Sequence, residues 1–360
     1  MHKEKNNNMK KIIMSLLLIL GFTTSTMAEK YTLVVPNKPG SGLSVWSQIV
    51  ATEMNKYIDG EIILKHLPGK GNIIGANDWH TDLQKDDTVM LATSGGNAIK
   101  FLTNPKVVYD YNYDAIGIMN LNIVAAKRTG TDGTVFPKGL GHAPEAFAIA
   151  MLMCGPDMTV DQYKACFKEK VTWVPGMKQN EFRLTFKRGE TTGSRENPAA
   201  FKKHIQPIID EGKAEIWFHH GILDAETGQH KDDPNFPGYQ FEIVFEKKWG
   251  VAPSGDFYDA YKLVKSVRDG IQKAIFISKG SKHAGTLRNA LEQVANNPDS
   301  VKAIQKKIGK YGWTIGEDGN RHLEVVMSLV TESAYKTLID FTKNSLGHKV
   351  EYKVNIVNGQ

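Results

Sequence analysis

The chain has 360 residues, a formal net charge of +6 and 41% hydrophobic residues. This suffices for a sizeable core, and the length suggests two domains. Past the N-terminal region no segment stays apolar for the roughly 20 residues that a spanning helix needs, and the charge is too slight for a nucleic-acid-binding face.

Lys10 and Lys11 precede a short apolar run, Ile12 to Phe22, and small residues follow as far as Ala28. A basic start, a short apolar core and small residues before a cut predict a secretory signal peptide over residues 1–28 and a periplasmic location. No cysteine follows the apolar core, which excludes a lipoprotein anchor. Cleavage after Ala28 removes Lys3, Lys5, Lys10, Lys11 and Glu4, so the net charge falls from +6 to +3. Two cysteines remain, Cys154 and Cys166. An oxidising compartment permits one disulfide between them, and two separate thiols is the alternative.

Tyr31 to Val35 is a β-rich run, Pro36 to Ser44 a turn-rich loop, and Val45, Ile49, Val50 and Met54 recur at helical spacing. The same order returns twice. Glu61 to Leu64 is followed by the glycine-rich Pro68 to Gly75 and a helix from Ala76; Thr88 to Ala92 is followed by Thr93 to Asn97 and a helix from Ala98. Strands alternating with helices predict a parallel sheet. All three loops then fall at carboxyl ends of strands, where α/β sheets bind ligands. Helix N-termini there offer free amides and a partial positive charge, so the loops should form an anion cradle that needs no arginine.

Ile116 to Ala126 reads as a strand or strand pair, and the Gly/Thr/Pro-rich stretch Thr129 to Pro144 as the crossing into a second lobe. Phe182 to Phe186 alternates like a strand. Thr159 to Lys170 and Ala199 to Ile209 read as helices, and Glu215 to Phe218 as a strand. Trp249 to Gly255 reads as the return crossing, ahead of amphipathic helices over Phe257 to Lys273, Ala284 to Asn296 and Ser300 to Lys310. Gly130, Gly133, Gly250 and Ser254 supply small hinge residues near the two crossings.

Five segments, in order, resemble the binding proteins of tripartite tricarboxylate transporters, the Bug or TctC-type family. They are Pro39–Ser44, Pro68–Ala76, Thr93–Ile99, Tyr109–Gly117 and Trp249–Gly255. The likeness is good over residues 31–126 and 249–320 and poor between them. Leu43-Ser44 stands where the family pattern has Thr-Asp, and the weakly matching middle holds the residues that would tune specificity. The resemblance implies a two-lobed α/β fold of the type II periplasmic-binding-protein kind, each lobe a mostly parallel sheet flanked by helices. It places the first lobe at 29–126 plus 251–360 and the second at 127–250. It implies a monomer that captures a small carboxylate and delivers it to a membrane permease, with no catalysis, no cofactor, no metal and no nucleic acid. The ligand-binding residues it suggests are Ser41, Gly42, Leu43, Gly71, Asn72, Thr93, Ser94 and Asn97 in the first lobe, and Gly193, Ser194 and Arg195 in the second.

Other readings compete. The loops lack the Walker lysine followed by Ser or Thr, and Gly40-Ser41-Gly42 is only a fragment of a dinucleotide fingerprint. A metal site is suggested by His219, His220 and His230 near Asp224, Glu226, Asp232 and Asp233, because imidazole with carboxylate suits zinc; their spacing matches no tight motif. An exported hydrolase would need a nucleophile, base and orienter. Ser94 and Ser194 exist without a G-x-S-x-G elbow. Arg195 suits bidentate carboxylate recognition. Trp46, Trp79 and Trp217 are candidates for a pocket wall or for core.

Overall fold

The computed structural model describes residues 29–137, 139–177, 179–353 and 356; the signal peptide expected over 1–28 lies outside them. Strands β1 (Glu29–Val35), β2 (Gly60–His66) and β3 (Val89–Ser94) alternate with helices α1 (Gly42–Met54), α2 (Ile74–Thr81) and α3 (Gly95–Thr103), as the sequence pattern predicts. β4 (Asp114–Met119) follows. β5 (Val124–Arg128), β6 (Val135–Pro137), α4 (Ala143–Cys154), α5 (Val160–Lys170), β7 (Thr172–Val174), α6 (Gln179–Arg188), β8 (Gly193–Glu196), α7 (Pro198–His204), α8 (Gln206–Asp210) and β9 (Ala214–His219) build the second lobe. A two-stranded β10 (Ile222–Leu223) and β11 (His230–Lys231) leads to α9 (Phe241–Trp249) and α10 (Asp256–Gly270). β12 (Lys273–Ile277), α11 (Ala284–Asn296), α12 (Pro298–Ile308), β13 (Trp313–Ile315), α13 (Gly316–Ser328) and α14 (Glu332–Asn344) complete the chain.

The main sheet has the order β13-β4-β12-β3-β1-β2. β1 pairs parallel with β2 and β3, while β12 pairs antiparallel with both β3 and β4, and β13 antiparallel with β4. Strands β1 to β4 therefore share one direction, and β12 and β13 oppose it. Both faces are covered. Leu33, Val35, Ile275 and Ile277 enter one apolar cluster, and Val34, Ala274 and Phe276 enter another on the opposite face. Burial on both sides explains why these strands read as continuous apolar runs rather than alternations.

The second lobe differs from the expected parallel sheet. Its three-stranded sheet, β8-β5-β9, is antiparallel in both pairings, and only β6 and β7 pair parallel. β5 carries the chain outward from the main sheet, and β8 and β9 run back against it.

The crossings also lie elsewhere than in Thr129–Pro144 and Trp249–Gly255. β4 ends at Met119 and β5 starts at Val124, so the outward crossing is the segment 120–123, and residues 124–126 belong to the second sheet. The return enters the main sheet at Lys273, after α10. Trp249–Gly255 instead joins two helices, where Gly250 adopts left-handed φ of 76° to end α9. Phe182 to Phe186 is helix, not strand. Phe182 and Phe186 stand four residues apart on one buried face, while Leu184 between them is exposed, a spacing that suits helix as well as alternation.

α4 packs on α10, and its Phe147 meets Phe257 of α10 and Phe341 of α14 at ring-centroid distances of 4.6 and 4.5 Å. One apolar cluster thus runs from the main sheet through α10 and α14 to Phe218 of the second sheet. A dense core resists shear, so wide jaw-like hinging at Gly130, Gly133, Gly250 and Ser254 is not what this packing favours. Gly133, for instance, is closed over by Trp217.

Cys154 at the end of α4 and Cys166 in α5 form a disulfide with Cα atoms 6.1 Å apart. It closes a short loop between two helices, so removing it with Cys154→Ser plus Cys166→Ser should lower stability by about 3 kcal/mol in the chain-entropy model. Urea unfolding of the double variant beside the parent checks this; an unchanged midpoint would show that the bridge constrains nothing.

Candidate functional site

A cavity of about 650 Å³ lies between the main sheet and the second lobe. From the first lobe it is walled by Gly42 at the start of α1, Trp46, Met119 at the end of β4, and Gln272 and Lys273 where the chain re-enters the sheet. The second lobe contributes Arg195 and Glu196 of β8, Arg183 of α6 and the start of α7; Tyr311 and the end of α12 close one side. The crossing segment splits its side chains by alternation. Met119, Leu121 and Ile123 face this cavity, whereas Asn120 and Asn122 face a neighbouring one.

The wall is strongly basic. Seven Lys or Arg side chains line it against one carboxylate, Glu196. The three arginines each have a carboxylate. Arg183 grips Glu196 with Nε at 2.6 Å and Nη2 at 3.0 Å. Arg268 pairs with the adjacent Asp269. Arg195 Nε lies 3.6 Å from Oε1 of Glu145, which also lies 3.5 Å from His220 Nε2. Glu145 is fully buried on the first turn of α4. Burial opposes its charge, but the Arg195 guanidinium, His220 and Arg268 outweigh it and hold the carboxyl well below its ordinary 4.5.

Lys273 differs. Its Nζ donates to the backbone oxygen and Oε1 of Gln272, both at 3.3 Å, and no ion pair among the described residues includes it. Burial first, and Arg268 second, push its amine down to about 8. Register places it opposite Ser94 of β3 and Met119 of β4, at the carboxyl edge of the parallel strands.

The residues expected to form the cradle fall differently. Gly42 and Arg195 reach the cavity wall, and Ser41 caps α1 by accepting from Ser44 N. Leu43 is buried in the core and cannot offer its side chain. Gly71 and Asn72 do not line the cavity. Residues 69–72 all have positive φ, and two amides are spent within their turn: Asn72 N and Ile73 N both donate to Gly69 O. The carbonyls are engaged too, Gly71 O by Lys100 Nζ and Asn72 O by Asn97 Nδ2 at 2.8 Å. Asn97, wholly buried, also accepts from Ser94 Oγ at 3.1 Å and, through its backbone oxygen, from Tyr109 OH at 2.8 Å. It is a bracket between loops. Thr93 is buried beside Tyr111, 3.4 Å from its hydroxyl. Gly193 packs where a Cβ would meet Phe136 at 2.5 Å and Gly133 O at 2.7 Å, and Ser194 is fully buried next to it. Gly193→Val should therefore unfold or rebuild β8, costing about 3 kcal/mol or more by overpacking; a melting temperature equal to the parent's would contradict this.

Trp46 borders the cavity with Nε1 3.2 Å from Met119 Sδ, while Trp79 and Trp217 serve the core. The three histidines raised as metal ligands separate. His219 bonds Asp232 at 2.9 Å, His220 bonds Tyr261 OH at 2.8 Å, and His230 meets Ser266 Oγ at 3.3 Å. Among the described residues no three ligating side chains converge, and no helix is long and apolar enough to cross a membrane. Three further cations of the wall, Arg183, Arg268 and Lys273, were not legible as site residues. They come from two distant segments, Arg183 from α6 and Arg268 with Lys273 from the junction of α10 and β12, and only the return of β12 between β3 and β4 brings Lys273 to the strand ends.

No family model and no curated protein matches this sequence. Solved structures do match in fold. A TctC solute-binding protein from Polaromonas is 14% identical, with a TM-score of 0.54 over 85% of this chain and 99% of that one. The R. palustris protein Rpa4515, solved with adipate, is 12% identical with a TM-score of 0.54, covering 86% and 97%. The periplasmic binding protein BugD is 12% identical with a TM-score of 0.50, covering 88% and 98%. The alignments span nearly the whole of each relative, and the chain has the two-lobed α/β fold of the TctC and Bug periplasmic solute-binding proteins.

Proposed function

We propose that this protein is an exported solute-binding protein of the TctC/Bug kind that captures a small organic anion, a carboxylate, between its lobes. It then delivers the solute to a membrane permease of the tripartite tricarboxylate type and performs no chemistry on it. The single observation that carries the reading is the basic cavity at the carboxyl edge of the main sheet, with its seven cations and one engaged carboxylate. Low-dielectric walls of one sign concentrate counter-ions, and the first amides of α1 at Gly42 add a partial positive charge. The adipate in the name of one relative of the same fold agrees with this chemistry. On this reading the first lobe comprises residues 29–119 with 273–353, and the second lobe and its connecting helices fill the interval. Residues 1–28 act as the export signal, which gives a periplasmic protein.

A thermal-shift screen of mono-, di- and tricarboxylates on the chain lacking residues 1–28 tests the proposal. A ligand at 100 times its Kd stabilises by about 2.7 kcal/mol, a shift of a few degrees for a chain of this size. No shift from any carboxylate at millimolar concentration would defeat it.

A further inference from the structure

Resting on that reading, the charge distribution inside the cleft says what kind of anion belongs there. The three arginines in the wall already have carboxylates: Arg183 has Glu196, Arg195 has Glu145 and Arg268 has Asp269. Lys273 has none among the described residues; its contacts are the two neutral oxygens of Gln272 at 3.3 Å. A largely enclosed ammonium without a counter-charge is costly to fold, and here β12 fixes it at the strand edge between Ser94 and Met119. The same cavity is also lined by Lys203, Lys306 and Lys307. All three are exposed, and no ion pair among the described residues includes any of them. The one carboxylate of the wall, Glu196, is already gripped by Arg183 through two bonds.

We propose that Lys273 is the counter-ion for one anionic group of the solute, that the lysines at the mouth receive a second, and that the cleft therefore selects dianions over monoanions of the same length. Side-chain charge, rather than a backbone cradle alone, then sets the preference. Arg195 and Arg268, neutralised by their own carboxylates, shape the cavity and donate hydrogen bonds without adding net charge.

The test is calorimetry with the protein lacking residues 1–28, using adipate and hexanoate as a matched pair and succinate and butyrate as a shorter one. The expected result is at least about tenfold tighter binding of the dianion in whichever pair fits, as loss of one charge-assisted contact implies. Lys273→Met should weaken the dianion at least about tenfold, and Lys273→Arg should restore most of it. Without ligand, Lys273→Met should melt no lower than the parent, since it removes an unpaired enclosed charge; this separates a binding role from a structural one. Lys203→Gln, Lys306→Gln and Lys307→Gln combined should narrow the gap between dianion and monoanion. A monoanion that binds within about twofold of its dianion, or a folded Lys273→Met protein that binds as the parent does, would overturn the inference while leaving carboxylate capture intact. Failure of every carboxylate to bind the parent protein would instead defeat the functional reading itself, and this inference with it.

Discussion

Glu145→Leu is expected to be among the most damaging single substitutions in the molecule, costing about 3–5 kcal/mol of folding stability. The carboxylate is wholly buried and holds Arg195 at 3.6 Å and His220 at 3.5 Å. Removing it leaves a buried guanidinium without its counter-charge, beside Arg268, which already works against its charge. Leucine matches the volume roughly, so the loss reports charge rather than a cavity. A double variant, Glu145→Leu with Arg195→Met, should recover much of the loss, because replacing both partners of a buried pair by apolar groups is often neutral. Urea unfolding of the two single variants and the double variant measures the coupling. Additive losses would show that the pair does not interact in the fold.

The second large effect is on acid stability. His142 packs against Phe136, Trp173 and Phe182, and burial, with Arg195 adding, pushes its imidazole down to about 3 from an ordinary 6.5. Burial likewise lowers His219, His230 and His322. Each is therefore neutral in the native state over a range where the unfolded chain is protonated. The unfolded state binds more protons between pH 6.5 and about 3, so stability rises with pH there and is lost as pH falls. Glu145 acts in the same direction lower down, its contribution fading as pH drops below 4.5. The loss should begin near pH 6.5, earlier than carboxylates alone would cause, with His142 contributing up to about 1.4 kcal/mol per pH unit. His142→Phe should flatten the slope between pH 5 and 6.5 by one such increment. Equal unfolding free energies at pH 5 and pH 7 would contradict the account.

The first third of the fold was readable because each β-loop-α unit carries its own local signals: an apolar strand, a glycine turn, then helical spacing. The chemistry of those loops was not. Whether Asn72 and Asn97 bind a solute or each other depends on a contact across 25 residues, and in the fold Asn97 Nδ2 holds Asn72 O. The helical pattern over Phe257 to Lys273 takes in only the first residue of the return strand KAIFI, and Ala274–Ile277 carry no sequence signal of their own. A strand buried on both faces shows no alternation, and Lys273 at its start resembles a helix-ending lysine. Phe182 and Phe186 satisfied both a strand and a helix pattern until the buried face was known. The basic character of the cleft escaped the overall charge entirely, because a net +3 for residues 29–360 averages a concentrated patch with acidic surface elsewhere.

The most direct test of carboxylate capture is a crystal structure of the protein grown with the most stabilising dicarboxylate. The account predicts the solute in the cleft between β12 and β8, with one carboxylate within 3.5 Å or less of Lys273 Nζ, hydrogen-bonding range, and the other toward Lys203, Lys306 and Lys307. A tightly bound solute found elsewhere, with this cleft empty, would contradict it.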